Sequence, residues 1–219
     1  MEALDKELIR HRRGDMVHHP LVTGWVRQDA SPINQTLRRM KEKVAKAESD
    51  GDWHQYVFLH EKPYRLDALE SAAKKGLSQN PSDFWRLVGE VWQDSENIHQ
   101  NLAKWKRLWG KLIENRVACM STEDRLIFES LPDQVEVWRG TNHKRGLGGL
   151  SWTLDQEKAA WFANRFSNPR LVVKGLTNKR DIVAYFGERD EREIVSMRVS
   201  IISVTDVSPS DERGMRLEV

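Results

Sequence analysis

Three short stretches hold the side chains of this sequence best suited to chemistry. Trp138-Arg139-Gly140 ends a β-patterned run with a guanidinium, and Ser151-Trp152-Thr153 supplies two hydroxyls. Glu191-Arg192-Glu193 supplies two carboxylates ahead of the apolar Ile194-Val195. An arginine leaving a strand straight into glycine presents a rigid five-donor fork where the backbone leaves room, which suits a phosphate or diphosphate. Alternation along a strand places Ser151 and Thr153 on one face and Trp152 on the other. It also puts Glu191 and Glu193 together, with Arg192 opposite. Like charges at that spacing repel, so they are either solvated or working. Each stretch alone has a plainer reading: a surface ion pair for Arg139, an edge strand with outward hydroxyls, a charged strand start continuing Glu188-Arg189-Asp190. In combination and in this order they suit gripping a dinucleotide and cleaving a glycosidic bond. Gly146-Leu147-Gly148-Gly149 matches neither a Walker loop nor a dinucleotide fingerprint.

Taken together, the three stretches resemble the active site of the ADP-ribosyltransferase fold, in the class named for its Arg-Ser-Glu order. The resemblance covers residues 135–207 and does not reach the first 130. In that family a strand ending in aromatic-Arg-Gly binds NAD⁺, as Trp138-Arg139-Gly140 would. The second motif is usually Ser-Thr-Ser, which Ser151-Trp152-Thr153 matches at its ends and departs from at Trp152. The third is Glu-x-Glu at a strand start, matched by Glu191-Arg192-Glu193. A helix is expected after the second motif, and residues 155–166 supply one. Residues 186–190, just before the third motif, would form the substrate-recognition loop.

The resemblance implies a chemistry. Loss of nicotinamide from NAD⁺ develops oxocarbenium character on the ribose, as in glycoside hydrolysis. Glu193 would bond the ribose 2′-hydroxyl and stabilise that charge. Ser151 would hold Glu193, and Arg139 would clamp the phosphates so that the ribose is presented correctly. The Gly140 backbone would meet the carboxamide, with Thr153, Phe162 and Phe166 as pocket walls. Glu191 would act on the acceptor, as base or guanidinium partner. NAD⁺ is thus expected as a substrate, with no metal.

These stretches need a sheet to carry them. After residue 131 the texture is β-rich, with strands expected at 135–138, 150–154, 171–173, 182–186, 193–199 and 201–207, and one helix at 155–166. Before it the pattern is helical. Ser31-Pro32 opens a helix with Ile33, Leu37, Met40 and Val44 on one stripe, closed at Asp50-Gly51-Asp52. A second helix follows Pro63 and stops at Gly76. The longest periodic run goes from Ser82 to about Ile113, with either Asn80 or Ser82 as its cap, as one helix or two joined near Ser95. It carries Trp85, Trp92, Trp105 and Trp109 on a single stripe, which reads as a core or helix-pairing seam rather than as an aromatic platform for bases. Ser95, Asn97, His99 and Asn101 interrupt it as an interior polar network or groove lining. Ser121, with Asp124 three residues on, reads as a capping box for a helix at 122–129. Residues 1–30 are aperiodic, and His18-His19-Pro20 reads as a turn rather than a metal site, since no ligand spacing surrounds it.

Composition sets the outer bounds. The 219 residues include nine Trp and one Cys, and 35 Lys/Arg against 33 Asp/Glu give a net charge of +2. Residues 131–219 hold 14 Lys/Arg against 13 Asp/Glu, leaving 21 against 20 before them, so neither part binds nucleic acid by bulk charge. A local basic face remains open. Cys119 lies in a helical stretch as a small buried hydrophobe, and its lack of a partner fits a reducing compartment. With no secretory pattern at the start and no membrane-length apolar run, a cytoplasmic protein is expected.

The expected protein is therefore α+β: a helical domain at 1–130, for substrate or partner recognition, then a small split β-sandwich of the ADP-ribosyltransferase type at 131–219. Its expected activity is NAD-dependent mono-ADP-ribosyl transfer to a macromolecular acceptor, with a protein arginine preferred. Transfer to RNA or DNA and NAD⁺ hydrolysis are the alternatives within the fold. A non-catalytic binding module on a degenerate transferase fold is the alternative of another class. A neutralising or regulatory protein partner also fits the helical part.

Overall fold

Residues ahead of Ser31, aperiodic in sequence, form a short helix α1 (Lys6–Ile9) and a three-stranded antiparallel sheet of β1 (Arg12–Arg13), β2 (Met16–His19) and β3 (Val22–Trp25). The computed structural model of the chain describes residues 1–26, 28–96, 98–165, 169–187 and 190–208. Strands this short carry too few alternations to be read as period two. On β2, Val17 and His19 are nonetheless buried while His18 is exposed. Leu8, Val17, Val22 and Val26 pack with Ile33 and Leu37 from the next helix into one apolar cluster. The two histidines belong to β2, and the turn begins only at Pro20. His19 is 3 % exposed: its Nδ1 accepts from Leu21 N (3.1 Å), and its Nε2 lies 3.0 Å from Glu7 Oε1.

Helix α2 (Ser31–Asp50) occupies its expected span, with Pro32 in its first turn and Gly51 at φ 68° closing it in the left-handed region. Ser31 is not the cap: Ala30 holds that position, and Asp29 Oδ1 accepts from Ser31 N (3.2 Å) and Ser31 Oγ (2.8 Å). A short α3 (Trp53–Phe58), opened by Asp52, escaped the sequence reading. Helices α4 (Arg65–Lys75) and α5 (Pro81–Asp94) follow, the latter capped by Asn80 rather than Ser82.

The long tryptophan run breaks at Ser95, whose backbone is extended (ψ 126°) and whose Oγ donates to Val91 O (2.7 Å). After it comes α6 (Leu102–Trp109). The chain divides into two compact units, Met1–Glu96 with Ile113–Cys119, and Asn97–Leu112 with Met120–Val219. Trp85 and Trp92 are buried in the first unit and Trp105 and Trp109 in the second. His99 is exposed, which removes it from an interior network, and Asn97 lies outside the described residues. The division differs from a cut at residue 131, because α6 and α7 (Thr122–Ser130) group with the sheet. Cys119 is buried against α5, where a Cβ at Gly89 would overlap the Cys119 carbonyl.

The second unit is built on a six-stranded antiparallel sheet, which makes the protein α+β. Its strands are β4 (Gln134–Thr141), β5 (Ser151–Thr153), β6 (Leu171–Asn178), β7 (Ile182–Phe186), β8 (Glu193–Ser196) and β9 (Ser200–Asp206), in the order β7-β8-β5-β4-β6-β9. Every run expected to be a strand is one. The halves β7-β8-β5 and β4-β6-β9 are joined by a single backbone pair, Trp138 with Thr153. Helix α8 (Gln156–Asn164) begins at Asp155, whose Oδ1 accepts from Glu157 N (2.8 Å) and Lys158 N (3.1 Å), and Phe166 lies outside the described residues. On α7, Ser121 Oγ accepts from Asp124 N (3.1 Å) as a cap should. Asp124 itself does not complete a capping box: its Oδ1 accepts from Gly187 N (2.8 Å) at the end of β7.

Among the described residues, no helix is long and apolar enough to cross a membrane.

Candidate active site

The motif residues gather around the narrow join in the sheet. Trp138 on β4 stands opposite Thr153 on β5, and Thr153 stands opposite Glu193 on β8. Directly opposed residues in antiparallel strands share a face, so Trp138, Thr153 and Glu193 form one transverse row. With strands about 4.8 Å apart, that row spans about 10 Å. Ser151 opposes Val195, which places it on the same face as Glu193 and one diagonal step away. Thr153, rather than Ser151, is the direct neighbour of Glu193.

Thr153 is 4 % exposed and its hydroxyl is fully engaged. Oγ1 donates to the Glu191 carbonyl (2.7 Å) and accepts from Asp155 N (3.0 Å). Leu154 N donates to the Arg192 carbonyl (3.1 Å). The end of β5 thus grips the backbone of the Glu-x-Glu stretch while also opening α8. Glu191 does not share a strand face with Glu193, contrary to simple alternation. Strand β8 starts only at Glu193, and Arg192 has φ 45°, with Asp190 at φ 55°. Left-handed backbone at non-glycine residues is uncommon and costs of order 1 kcal/mol each. It turns the chain sharply ahead of Glu193 and gives Glu191 a direction of its own.

Arg139 follows Trp138, and alternation sends it to the opposite face, level with the buried Val173 on β6. Its Nη1 donates to the Ser151 carbonyl, while its Nε is buried with no hydrogen-bond partner among the described residues. A Cβ on Gly149 would lie 2.5 Å from Arg139 Cζ, so the guanidinium rests against that glycine. Burial pushes its pKa below the ordinary arginine value, and the charge of Glu193 opposes the shift. The expected free fork is therefore a half-buried group that ties β4 to β5. The signal for Gly149 was present in the glycine-rich run Gly146-Leu147-Gly148-Gly149, a mark of close approach that sequence alone could not pair with Arg139.

Gly140 is needed for packing. A Cβ there would overlap Ala159 O and Ala163 N, so α8 lies directly on its open face. Ala159, Ala163 and Val172 form the small apolar cluster beneath, with Trp138 against it. Phe162 is half-buried, edge-on to Trp161 at 5.0 Å. Trp152 is buried in the core, its Nε1 donating to Gly149 O (3.0 Å). Glu188 and Arg189 of the expected recognition loop lie outside the described residues.

Beside this row lies an open depression of about 600 Å³ lined by Leu154, Asp155, Gln156, Glu157, Ala160 and Arg192. Among the described residues, no group of His, Cys, Asp and Glu is arranged to hold a metal ion. Comparison of the chain with protein-family models, curated proteins and solved structures finds no match.

Proposed function

We propose that the sheet unit is an NAD-dependent mono-ADP-ribosyltransferase of the Arg-Ser-Glu class, on a split sheet of that type, acting on a protein arginine. One observation carries the reading: Arg139, Ser151 and Glu193, far apart in sequence, stand on the three adjacent strands β4, β5 and β8 at the join of the sheet halves, where the Arg139 guanidinium reaches the Ser151 carbonyl and feels the charge of Glu193. Glu193 would stabilise the oxocarbenium ion that forms as nicotinamide leaves. Thr153 positions the turn that carries Glu191, and Arg139 with Gly149 fixes the opening end of β5. NAD⁺ would lie against Arg139, Gly140, Ser151, Thr153 and Phe162, and no step calls for a metal. The carboxylates of Asp155 and Glu157 border the depression beside Arg192, which suits a cationic acceptor better than a phosphate backbone.

The reading of another class, a non-catalytic binding module, draws on one fact. Arg139 spends a donor on Ser151 and keeps its Nε buried, so its fork is less open than a phosphate clamp requires. Incubating the full chain with NAD⁺ labelled in the adenylate moiety and with a lysate separates the readings. Label on protein arginine supports the proposal. Label on RNA or DNA replaces the acceptor, and free ADP-ribose alone makes the protein a hydrolase. No turnover leaves the binding module.

A further inference from the structure

The sheet of the first unit buries one face and leaves the other bare. Gly24 approaches Ile33 on the helix side, where Val17, Val22 and His19 are also buried. On the other side, Arg13, Met16 and Trp25 stand in register across β1, β2 and β3, with His18 and Thr23 in the neighbouring row. Trp25 is 68 % exposed, an unusual cost for so large an apolar ring. Among the described residues it has neither an aromatic partner nor a cation against its ring, and it sits on a sheet rather than at a mobile terminus.

The charges around it are one-sided. Asp15 is taken by Arg12 (3.3 Å), and Glu7 is taken by Lys41 and His19. Arg13 is exposed and meets no carboxylate among the described residues, and the bare face itself carries no acid. We infer that this face binds single-stranded nucleic acid, with an unpaired base stacked on Trp25 and a neighbouring phosphate held by Arg13. The geometry suits it: Arg13 lies two strands from Trp25, about 10 Å away, within reach of a phosphate next to a stacked base. A flat ring offers a π-face to any base, so the site would be tolerant of sequence, and duplex, whose bases are already stacked, would not use it. The inference is independent of NAD⁺ chemistry, and its test contains no NAD⁺.

Fluorescence anisotropy of labelled 12-mers of dT and U with the full chain, at low and moderate salt, reads the interaction. Binding to both, weakened by salt and not matched by a duplex of the same length, is expected. Trp25→Ala should weaken it about tenfold, and Trp25→Phe should restore most of the loss, since stacking is worth roughly a five- to hundredfold change per base. Arg13→Ala should lower affinity and reduce the salt slope by about one. Thr23→Glu, a surface change on the same face that leaves the ring in place, should also weaken binding. Absence of binding at low salt, equal affinity for duplex, or wild-type binding by both Trp25→Ala and Thr23→Glu would overturn the inference.

Discussion

The guanidinium of Arg139 and the backbone carbonyl of Ser151 are hydrogen-bonded, linking the first two motif stretches beside the Trp138–Thr153 pair that joins the sheet halves. Arg139→Ala should therefore act twice. It leaves the Ser151 carbonyl without its donor, costing about 1–3 kcal/mol in urea denaturation, and it weakens NAD⁺ binding by calorimetry. Arg139→Lys should keep the charge and lose the fork, recovering stability better than affinity. Full NAD⁺ affinity in Arg139→Ala would remove the residue from the site.

Glu193→Gln is nearly isosteric, so it should leave folding and NAD⁺ affinity close to wild type while removing turnover of labelled NAD⁺. Unchanged turnover would refute the catalytic assignment. Glu191→Gln should spare hydrolysis and abolish transfer, because the turn at Arg192 gives that carboxylate a separate direction.

Thr153→Val keeps the shape of a buried side chain and deletes two hydrogen bonds, to Glu191 O and from Asp155 N. A loss of about 1–3 kcal/mol is expected. The ratio of transfer to hydrolysis should also fall as the Glu191 turn loosens, whereas Thr153→Ser should restore it. A Thr153→Val enzyme with normal stability and normal partition would show that the grip on Glu191 is without consequence.

Gly140→Ala places a methyl against the backbone of α8, where neither Ala159 O nor Ala163 N can yield as a side-chain tip could. Overpacking of this kind costs about 1–3 kcal/mol. Thermal melts should show the drop even without NAD⁺. A neutral substitution would mean that α8 shifts freely.

His19 gives the first unit a pH dependence. Burial lowers its pKa from the ordinary 6.5, against the pull of Glu7, so the folded protein favours the neutral ring. As pH falls below about 6.5 the unfolded chain takes up the proton first. The stability due to His19 is thus complete above that pH and is lost as pH drops through the folded value. Urea midpoints at pH 7.5 and 5.5 should differ less in His19→Gln than in wild type, and identical differences would exclude the effect.

Sequence by itself determined the local order: strong periods and side-chain caps such as Asn80 and Ser121 act over a few residues, so α2, α4, α5, α7, α8 and every strand of the large sheet were legible. It also determined which residue types stand at 139, 151 and 193. Tertiary structure decided what depends on contacts between distant segments. Those contacts include the grouping of α6 with the sheet, Gly149 under the guanidinium, α8 against Gly140, and Thr153 rather than Ser151 opposite Glu193. The small N-terminal sheet was equally hidden, because strands of two to four residues are stabilised by the cluster around Val17 and Leu37, and no local pattern records that partnership.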